Sequence, residues 1–495
     1  MTQPAHAIVI GSGFGGLAAA IRLGARGYQV TVLEQLDAAG GRAYVHRQDG
    51  FVFDAGPTIV TAPFLLEELW ALCGKKMSDD VDLRAISPFY RIRFDDGDYF
   101  DYSGNSEEMK RQIARFNEED VKGYDRFIAI SERVYAVGFD KLLHFSFDSI
   151  WKMIKVVPEL LFVQFHRSVH GLVSRYIKHP KLRQVFSFHP LLVGGNPFST
   201  TAVYTLIAHL ERRHGVHFSM GGTGSIINGL VGLITAQGSQ IRLNQSVAQI
   251  LVEKGRATGV RLNSGEIINA DIVVSNADSA FTYKHLVPAQ YRRRWSDKKI
   301  AKSKYSMSLF VWYFGTDKQY DDVPHHMIML GKRYKELLHD IFNKKILAND
   351  FSLYLHRPTA TDPSLAPDGC DSFYVLSPVP HLDANVNWEA ESEKYRKVIQ
   401  QFLSETVLPE LSSHVISSRL LTPVDFKERL SSVKGAAFGL QPLLLQTGWF
   451  RPHNRSEDIE NLYLVGAGTH PGAGIPGVVS SAKVLDEVVP DPIRV

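Results

Sequence analysis

The sequence predicts an α/β fold with more than one domain, and three observations carry this prediction. The chain has 495 residues, which is more than one hydrophobic core usually holds. An apolar strand, a glycine-rich turn and a helical pattern open the chain at residues 7–23, and a second apolar strand follows at 29–33. The order of strand, glycines and helix returns near the end, at residues 462–478, with the helix expected to begin at about Gly477.

Composition narrows the class of protein. The 55 basic and 52 acidic residues leave a net charge of +3, which does not favour nucleic acid as a partner. Cys73 and Cys370 are not paired by their spacing, so we expect free thiols in a reducing cytoplasm, no cysteine metal cluster and no metal site. The apolar run at 7–33 is broken by glycines and charges, so it is not a secretory signal. No apolar run reaches about 20 residues, so no membrane-spanning helix is expected.

The middle of the chain changes its pattern several times. Residues 90–94 alternate as a strand does, and Asp95-Asp96-Gly97 is typical of a hairpin turn. Residues 106–217 have mostly helical patterns, and short strands follow at 241–243, 247–252, 257–262 and 266–274. Because the sequence contains no internal repeat and no low-complexity linker, we predict domains that are discontinuous in sequence. They are a first domain of residues 1–72, 218–300 and 455–495, a second of 73–139 and 301–454, and a helical subdomain of 140–217 that is a candidate for membrane association.

The first glycine motif predicts a dinucleotide site. Gly11-x-Gly13-x-x-Gly16 follows a strand and opens a helix. Gly11 permits a tight turn, Gly13 lets the backbone approach a pyrophosphate, and Gly16 lets the helix pack on the strand. The helix N-terminus then offers amide donors to the phosphates. Glu34 ends the second strand, about 20 residues further on, where an acid accepts hydrogen bonds from ribose hydroxyls.

The residues after Glu34 favour FAD over NAD. Gly40-Gly41-Arg42 and Asp54-Ala55-Gly56-Pro57-Thr58 lie where an NAD domain would continue with further βαβ units. This set resembles the superfamily of FAD-dependent oxidoreductases that includes amine oxidases, carotenoid desaturases and the GDP-dissociation-inhibitor fold. The resemblance implies that Arg42 contacts the cofactor. It also implies a Rossmann-like FAD domain, a mixed-sheet substrate domain and a helical lid.

Two distant segments fit the same superfamily. Gly221-Gly222-x-Gly224, Val247 and residues 270–278 resemble its middle FAD segment, in which the residue matching Val247 binds adenine through its backbone. Residues 462–478 resemble the segment along the ribityl chain and flavin edge, although Gly468 stands where many members carry an acid. The predicted cofactor residues are Gly11, Ser12, Gly13, Phe14, Gly16, Glu34, Gln35, Gly41, Arg42, Gly56, Pro57, Thr58, Val247, Gly466, Gly468, Gly477 and Val478.

Over essentially its whole length the chain is similar to the bacterial-type phytoene desaturase family. The resemblance rests on residues 462–478 together with 34–44, 186–198 and 350–356. It implies an FAD-dependent dehydrogenase that takes hydrogens from phytoene or a related hydrophobic polyene, with the hydride going to flavin N5. Oxygen or a membrane quinone is the expected electron acceptor, because a second dinucleotide motif is absent from the sequence.

Other segments suggest how a hydrocarbon is handled. The aromatic run 309–314 is a candidate wall of an apolar tunnel, or plain core. The stretch 147–165, apolar with interspersed lysines, fits a helix on the inner face of the cell membrane or a buried helix equally well. Asp148 and His470 are weak candidates for a base, and no established catalytic set is present.

Three other functions stay open at this point. A carotene isomerase or retinol saturase would use the same fold and flavin. An amine oxidase would need an aromatic cage and a polar amine site. A lipid escort of the GDP-dissociation-inhibitor class would keep the glycines without the flavin, which Arg42 and the glycines of 466–478 argue against.

Overall fold

A computed structural model describes residues 4–492. Its strands are β1 (His6–Ile10), β2 (Gln29–Leu33), β3 (Val45–Gln48), β4 (Phe51–Asp54), β5 (Leu83–Ala85), β6 (Tyr90–Arg93), β7 (Tyr99–Tyr102), β8 (His217–Ser219), β9 (Gln240–Arg242), β10 (Val247–Glu253), β11 (Arg256–Leu262), β12 (Ile267–Asn269), β13 (Ile272–Ser275), β14 (Ser308–Thr316), β15 (His326–Met329), β16 (Leu353–His356), β17 (Asp371–Val379), β18 (Val415–Leu421) and β19 (Leu462–Leu464).

Helices lie between these strands. They are α1 (Phe14–Ala25), α2 (Pro63–Leu72), α3 (Ser106–Phe116), α4 (Glu119–Tyr135), α5 (Ile150–Phe162), α6 (Val169–Val173), α7 (Pro180–Ser187), α8 (Leu206–His214), α9 (Thr223–Ala236), α10 (Ser279–Phe281), α11 (Asp297–Lys302), α12 (Tyr334–His339), α13 (Trp388–Thr406), α14 (Leu411–His414), α15 (Pro423–Glu428), α16 (Ile475–Lys483) and α17 (Leu485–Val488).

A five-stranded parallel sheet brings the two ends of the chain together. Its order is β19-β13-β1-β2-β9. β1 is buried on both faces, as a central parallel strand should be. On one side of the sheet α1 packs against α16, and the buried Arg22 of α1 forms ion pairs with Glu68 and Asp486 at 2.9 and 2.7 Å. The opening and closing glycine motifs therefore lie side by side, which confirms the predicted α/β fold.

A seven-stranded mixed sheet forms the second large layer, with the order β18-β14-β17-β16-β15-β6-β7. β6 and β7 pair antiparallel around Asp95-Asp96-Gly97, as the sequence predicted. A three-stranded sheet, β10-β11-β12, flanks the parallel one. The single strand expected near 266–274 is wrong: it is two strands, because β12 pairs with β11 whereas β13 joins the parallel sheet beside β1.

The segment 309–314 of β14 meets the cavity through its aliphatic residues and not through its aromatic ones. Phe310, Trp312 and Phe314 pack in a core cluster with residues of α13. Leu309 and Val311, on the opposite face, line the large cavity described below. Successive side chains of a strand point to opposite faces, so Phe310, Trp312 and Phe314 face away from the cavity. Tyr313 shares the face of Leu309 and Val311 and is buried in the same core cluster.

Residues 106–214 are mostly helical, as predicted. In the described part of the chain, no helix combines the length and the apolar character that crossing a membrane requires. The domain boundaries remain a prediction, and residues 1–3 and 493–495 of the first domain lie outside the described residues.

Candidate active site

One large cavity connects the two glycine motifs with the helical region. Its volume is about 760 Å³, which lies within the range of ligand-binding pockets. One end is lined by Gly11, Glu34 and Arg42, and the other by side chains of α5 and α8 and by residues 444–450. The second end is mainly apolar, with Leu160, Ile207 and similar residues on its walls. This end is the apolar chamber of the cavity.

Most of the predicted cofactor residues line this cavity. Ser12, Gly16 and Gly468 do not, and each instead supports a neighbour: Ser12 binds Glu34, Gly16 packs on Gly11, and the Ser279 hydroxyl donates to the Gly468 carbonyl at 3.0 Å. The residues that do line it are Gly11, Gly13, Phe14, Glu34, Gln35, Gly41, Arg42, Gly56, Pro57, Thr58, Val247, Gly466, Gly477 and Val478. Their direct contact with a cofactor stays a prediction.

The turn before α1 is shaped for an anion. Gly11 has a φ of +90°, which favours glycine. A side chain at Gly16 would collide with the Gly11 carbonyl oxygen, so the helix can approach the strand only with glycine there. Gly13 is the N-cap of α1, and no side chain caps this end. The free amides of the first turn therefore face the cavity as donors for a phosphate.

Glu34 is a buried acceptor at the edge of the cavity. Its Oε2 accepts hydrogen bonds from the Ser12 amide at 2.8 Å and the Ser12 hydroxyl at 2.7 Å, and its Oε1 accepts one from the Leu36 amide at 2.9 Å. These bonds fix the carboxylate at the end of β2. Carboxylate oxygens retain further lone pairs for ribose hydroxyls.

We expect Glu34→Ala to weaken FAD binding by about 10- to 100-fold. Hydrogen bonds to a charged acceptor contribute about 1.5–3 kcal/mol, and each 1.4 kcal/mol is about tenfold in affinity. Fluorescence titration of the apoprotein with FAD measures the change. Glu389→Ala, at an exposed position of α13, is the matched control. Unchanged FAD affinity in Glu34→Ala would refute the ribose assignment.

Arg42 provides an orphaned donor in the cavity wall. Its Nη2 donates to the Ser432 hydroxyl at 3.1 Å, while its Nε is buried without a partner among the described residues. Burial lowers the pKa of Arg42, and the nearby carboxylate of Asp278 opposes this shift. A buried N–H group without an acceptor costs free energy. A ligand that places an acceptor atom beside Arg42 Nε therefore fits this part of the cavity.

The C-terminal motif differs from the expectation in one detail. α16 begins at Ile475 rather than near Gly477. A Cβ at Gly477 would lie 2.5 Å from the Gly472 carbonyl oxygen, so glycine is needed there for backbone packing before any ligand is considered. Gly477→Leu is therefore expected to disturb the loop as well as the cavity.

The two weak candidates for a base lie in different surroundings. Asp148 does not line the cavity; its carboxylate is 38% exposed and pairs with Lys152 at 3.0 Å. His470 lines the cavity, and its Nε2 donates to the Leu142 carbonyl at 2.8 Å. Burial lowers the pKa of His470 to about 4. Neither group has the surroundings of a strong base in this structure.

Sequence reasoning missed a polar cluster that joins Thr58, Tyr354 and Tyr374 of the cavity wall to three histidines that do not line the cavity. The Thr58 hydroxyl lies 2.8 Å from the Tyr374 hydroxyl, and the Tyr354 hydroxyl lies 2.7 Å from His326 Nδ1. His325, His326 and His356 are buried, and each offers a nitrogen within 4.8 Å of the others. Burial lowers the pKa of all three imidazoles. The adjacent His325 and His326 were the available signal, but only the pairing of β15 with β16 brings His356 beside them.

Comparison with known proteins defines the class. Residues 14–484 match the family of flavin containing amine oxidoreductases. Wild-type putrescine oxidase has the same fold, with a TM-score of 0.66 at 15% identity over 99% of this chain and 100% of that chain. Cyclohexylamine oxidase from Brevibacterium oxydans has a TM-score of 0.62 at 14% identity over 98% and 100%. The chain is a flavoprotein oxidoreductase whose cofactor is FAD.

Curated relatives define the family more narrowly. A neurosporene-forming phytoene desaturase of Cereibacter sphaeroides is 47% identical over 99% of this chain and 95% of its own length. A lycopene-forming phytoene desaturase of Pseudescherichia vulneris is 50% identical over 96% of this chain and 97% of its own length. The chain belongs to the bacterial-type phytoene desaturase family.

Proposed function

We propose that this protein catalyses the FAD-dependent desaturation of phytoene in carotenoid biosynthesis. The observation that carries the proposal is the cavity itself, which runs without interruption from the predicted cofactor residues into an apolar chamber. Relatives of similar identity form neurosporene or lycopene, so the number of double bonds introduced is left open between these products.

The residues of the chamber position a substrate that makes no hydrogen bonds. When bound, FAD supplies the acceptor for a hydride removed from the polyene. Leu309 and Val311 of the mixed sheet and Leu160 of α5 hold the hydrocarbon by apolar contact and exclude water. Electrons then leave the protein to oxygen or to a membrane quinone, because the sequence offers one dinucleotide motif alone.

The proposal is tested by incubating FAD-loaded protein with phytoene in liposomes and analysing the pigments formed. Products with more conjugated double bonds than phytoene are expected. Isomerised carotene without net loss of hydrogen would favour the isomerase alternative. Oxidation of putrescine without conversion of phytoene would favour an amine oxidase instead.

We further propose that α5 lies on the membrane surface, at the inner face of the cell membrane. Trp151, Leu161 and Phe162 are exposed to 71%, 53% and 64%, and Lys155 is exposed beside them. The opposite face of the helix carries Leu160, which lines the cavity. An exposed apolar face bordered by lysine is typical of helices that lie in the lipid interface.

The cavity reaches the surface close to this helix. Leu445 is 70% exposed and also lines the cavity. Nearby, Trp449 packs against the cluster formed by Phe147, Val156 and Leu160. This arrangement supports a route by which a polyene dissolved in lipid passes beside α5 into the chamber without crossing water.

Trp151→Asp combined with Leu161→Asp is expected to abolish pelleting with liposomes while FAD content stays unchanged. Each buried large apolar side chain contributes about 1.5–3 kcal/mol to transfer from water, and two charges remove this gain. The matched control is Val398→Asp with Ile416→Asp, two substitutions at positions of similar exposure on other elements. Undiminished pelleting of the first variant would disprove membrane binding through α5.

A further inference from the structure

Glu211 is a carboxylate in the wall of an apolar chamber. It lies on α8, its exposed fraction is 0%, and it lines the cavity close to Ile207 and Leu210 of the same helix. Among the described residues, no lysine or arginine pairs with it. A buried carboxylate that no lysine or arginine neutralises is costly, so its retention in this wall calls for a function.

Two side chains hold the Glu211 carboxylate. The Tyr90 hydroxyl donates to its Oε1 at 2.7 Å, and His189 Nε2 lies 3.2 Å from its Oε2. Tyr102 of β7 also faces the carboxylate, and burial together with the charge of Glu211 raises the pKa of both tyrosines. The tyrosines therefore stay protonated, and Tyr90 remains a hydrogen-bond donor.

The other carboxylates of the cavity are engaged by backbone amides. Glu34 accepts from the amides of Ser12 and Leu36. Asp278 accepts from the amides at the start of α10, and Asp425 accepts from the Thr422 amide at 2.7 Å. Within the described part of the cavity wall, Glu211 is the carboxylate held by side chains alone, and a hydroxyl and an imidazole can exchange protons with it.

We propose that Glu211 is the base that accepts the proton when the polyene is desaturated. This inference rests on the proposed function. One C–H bond of the substrate breaks with its electron pair, and that hydrogen leaves as hydride to the flavin, which is reduced by two electrons. The C–H bond on the adjacent carbon breaks, its electron pair forms the new C=C bond, and its proton goes to a carboxylate oxygen of Glu211.

An apolar chamber favours a carboxylate over an imidazole for this role. Protonation turns a carboxylate into a neutral acid, which burial stabilises. Protonation of His470 creates a buried cation, and the nearby Arg451 opposes that charge further. Proton uptake by Glu211 therefore removes a buried charge, whereas proton uptake by His470 creates one.

Glu211→Gln tests the assignment because glutamine keeps the shape and the acceptor for Tyr90 but is not a base. We expect its anaerobic flavin reduction by phytoene to slow by about 10²- to 10⁴-fold, the usual contribution of a general base. FAD content and phytoene binding should remain those of wild type, and Glu211→Asp should restore part of the rate. Asp120→Asn, which changes a buried carboxylate that does not line the cavity, is the control.

A second readout does not depend on turnover. Infrared spectra of the FAD-loaded protein with phytoene bound should contain a carboxylate band that Glu211→Gln lacks and Asp120→Asn retains. Tyr90→Phe removes a hydrogen bond to the Glu211 carboxylate, so it should shift the frequency of this band.

The outcomes separate this proposal from the proposed function. Wild-type protein that leaves phytoene unchanged contradicts the proposed function. If wild-type protein converts phytoene, and phytoene reduces the flavin of Glu211→Gln at a rate within about threefold of the wild-type rate, Glu211 is not the base. If Glu211→Gln fails to fold, an identical infrared carboxylate band in wild type and Tyr90→Phe overturns the role of Glu211.

Discussion

Gly13→Val is expected to abolish FAD binding and leave the chain folded. The φ of Gly13 is −70°, which valine adopts readily. A Cβ there meets the Asn276 side chain at 3.0 Å and comes no closer than 3.8 Å to the backbone of Gly40. The methyl groups of valine, however, project over the free amides of α1. They occupy the space that the pyrophosphate needs, so we expect affinity to fall by more than about 10²-fold.

The measurement is the flavin-to-protein ratio after purification and reconstitution, together with circular dichroism. Gly232→Val is the matched control, because Gly232 lies in α9 with open space around its Cβ position. We expect the control to bind FAD normally. Stoichiometric flavin in Gly13→Val would show that the N-terminal glycines do not hold the pyrophosphate.

Leu309→Trp is expected to reduce phytoene conversion to less than about one-hundredth of wild type while FAD remains bound. Leu309 lines the chamber from β14 and is outside the predicted cofactor set. An indole at this position fills space that an extended polyene needs. Because the added atoms enter an open cavity and not the packed core, we expect little loss of stability.

The neighbouring residue provides the control. Phe310 points to the opposite face of β14 and packs against Trp388 and Tyr395 of α13. Phe310→Trp should therefore lower the free energy of unfolding by about 1–3 kcal/mol through overpacking and leave the chamber open. Thermal unfolding and pigment analysis of both variants give the comparison. A reversed pattern would mean that β14 presents its other face to the substrate.

Local sequence patterns predicted the strands and turns whose conformation depends on residues close together in the sequence. The strand at 29–33 has the bounds of β2, and Asp95-Asp96-Gly97 connects β6 to β7. These features follow from glycine conformation and apolar periodicity, which act over a few residues. The sequence also predicted that the two glycine motifs lie together, because each of them follows a buried strand and opens a helix.

Features that depend on pairing between distant residues were not predictable in the same way. Which face of β14 meets the cavity depends on α13, which begins more than 70 residues later. The contact between Tyr90 and Glu211 joins residues 121 positions apart, and no local spacing marks either one. The start of α16 at Ile475 reflects Pro476, which favours the first turn of a helix.

The most direct test of the account is a single anaerobic mixing of FAD-loaded protein with phytoene in liposomes. The central claim is that flavin and polyene share one cavity, so that hydride passes directly between them. The account predicts that the absorbance of oxidised flavin disappears and that one new C=C bond forms per flavin reduced. Flavin that stays oxidised in the presence of bound phytoene would contradict it.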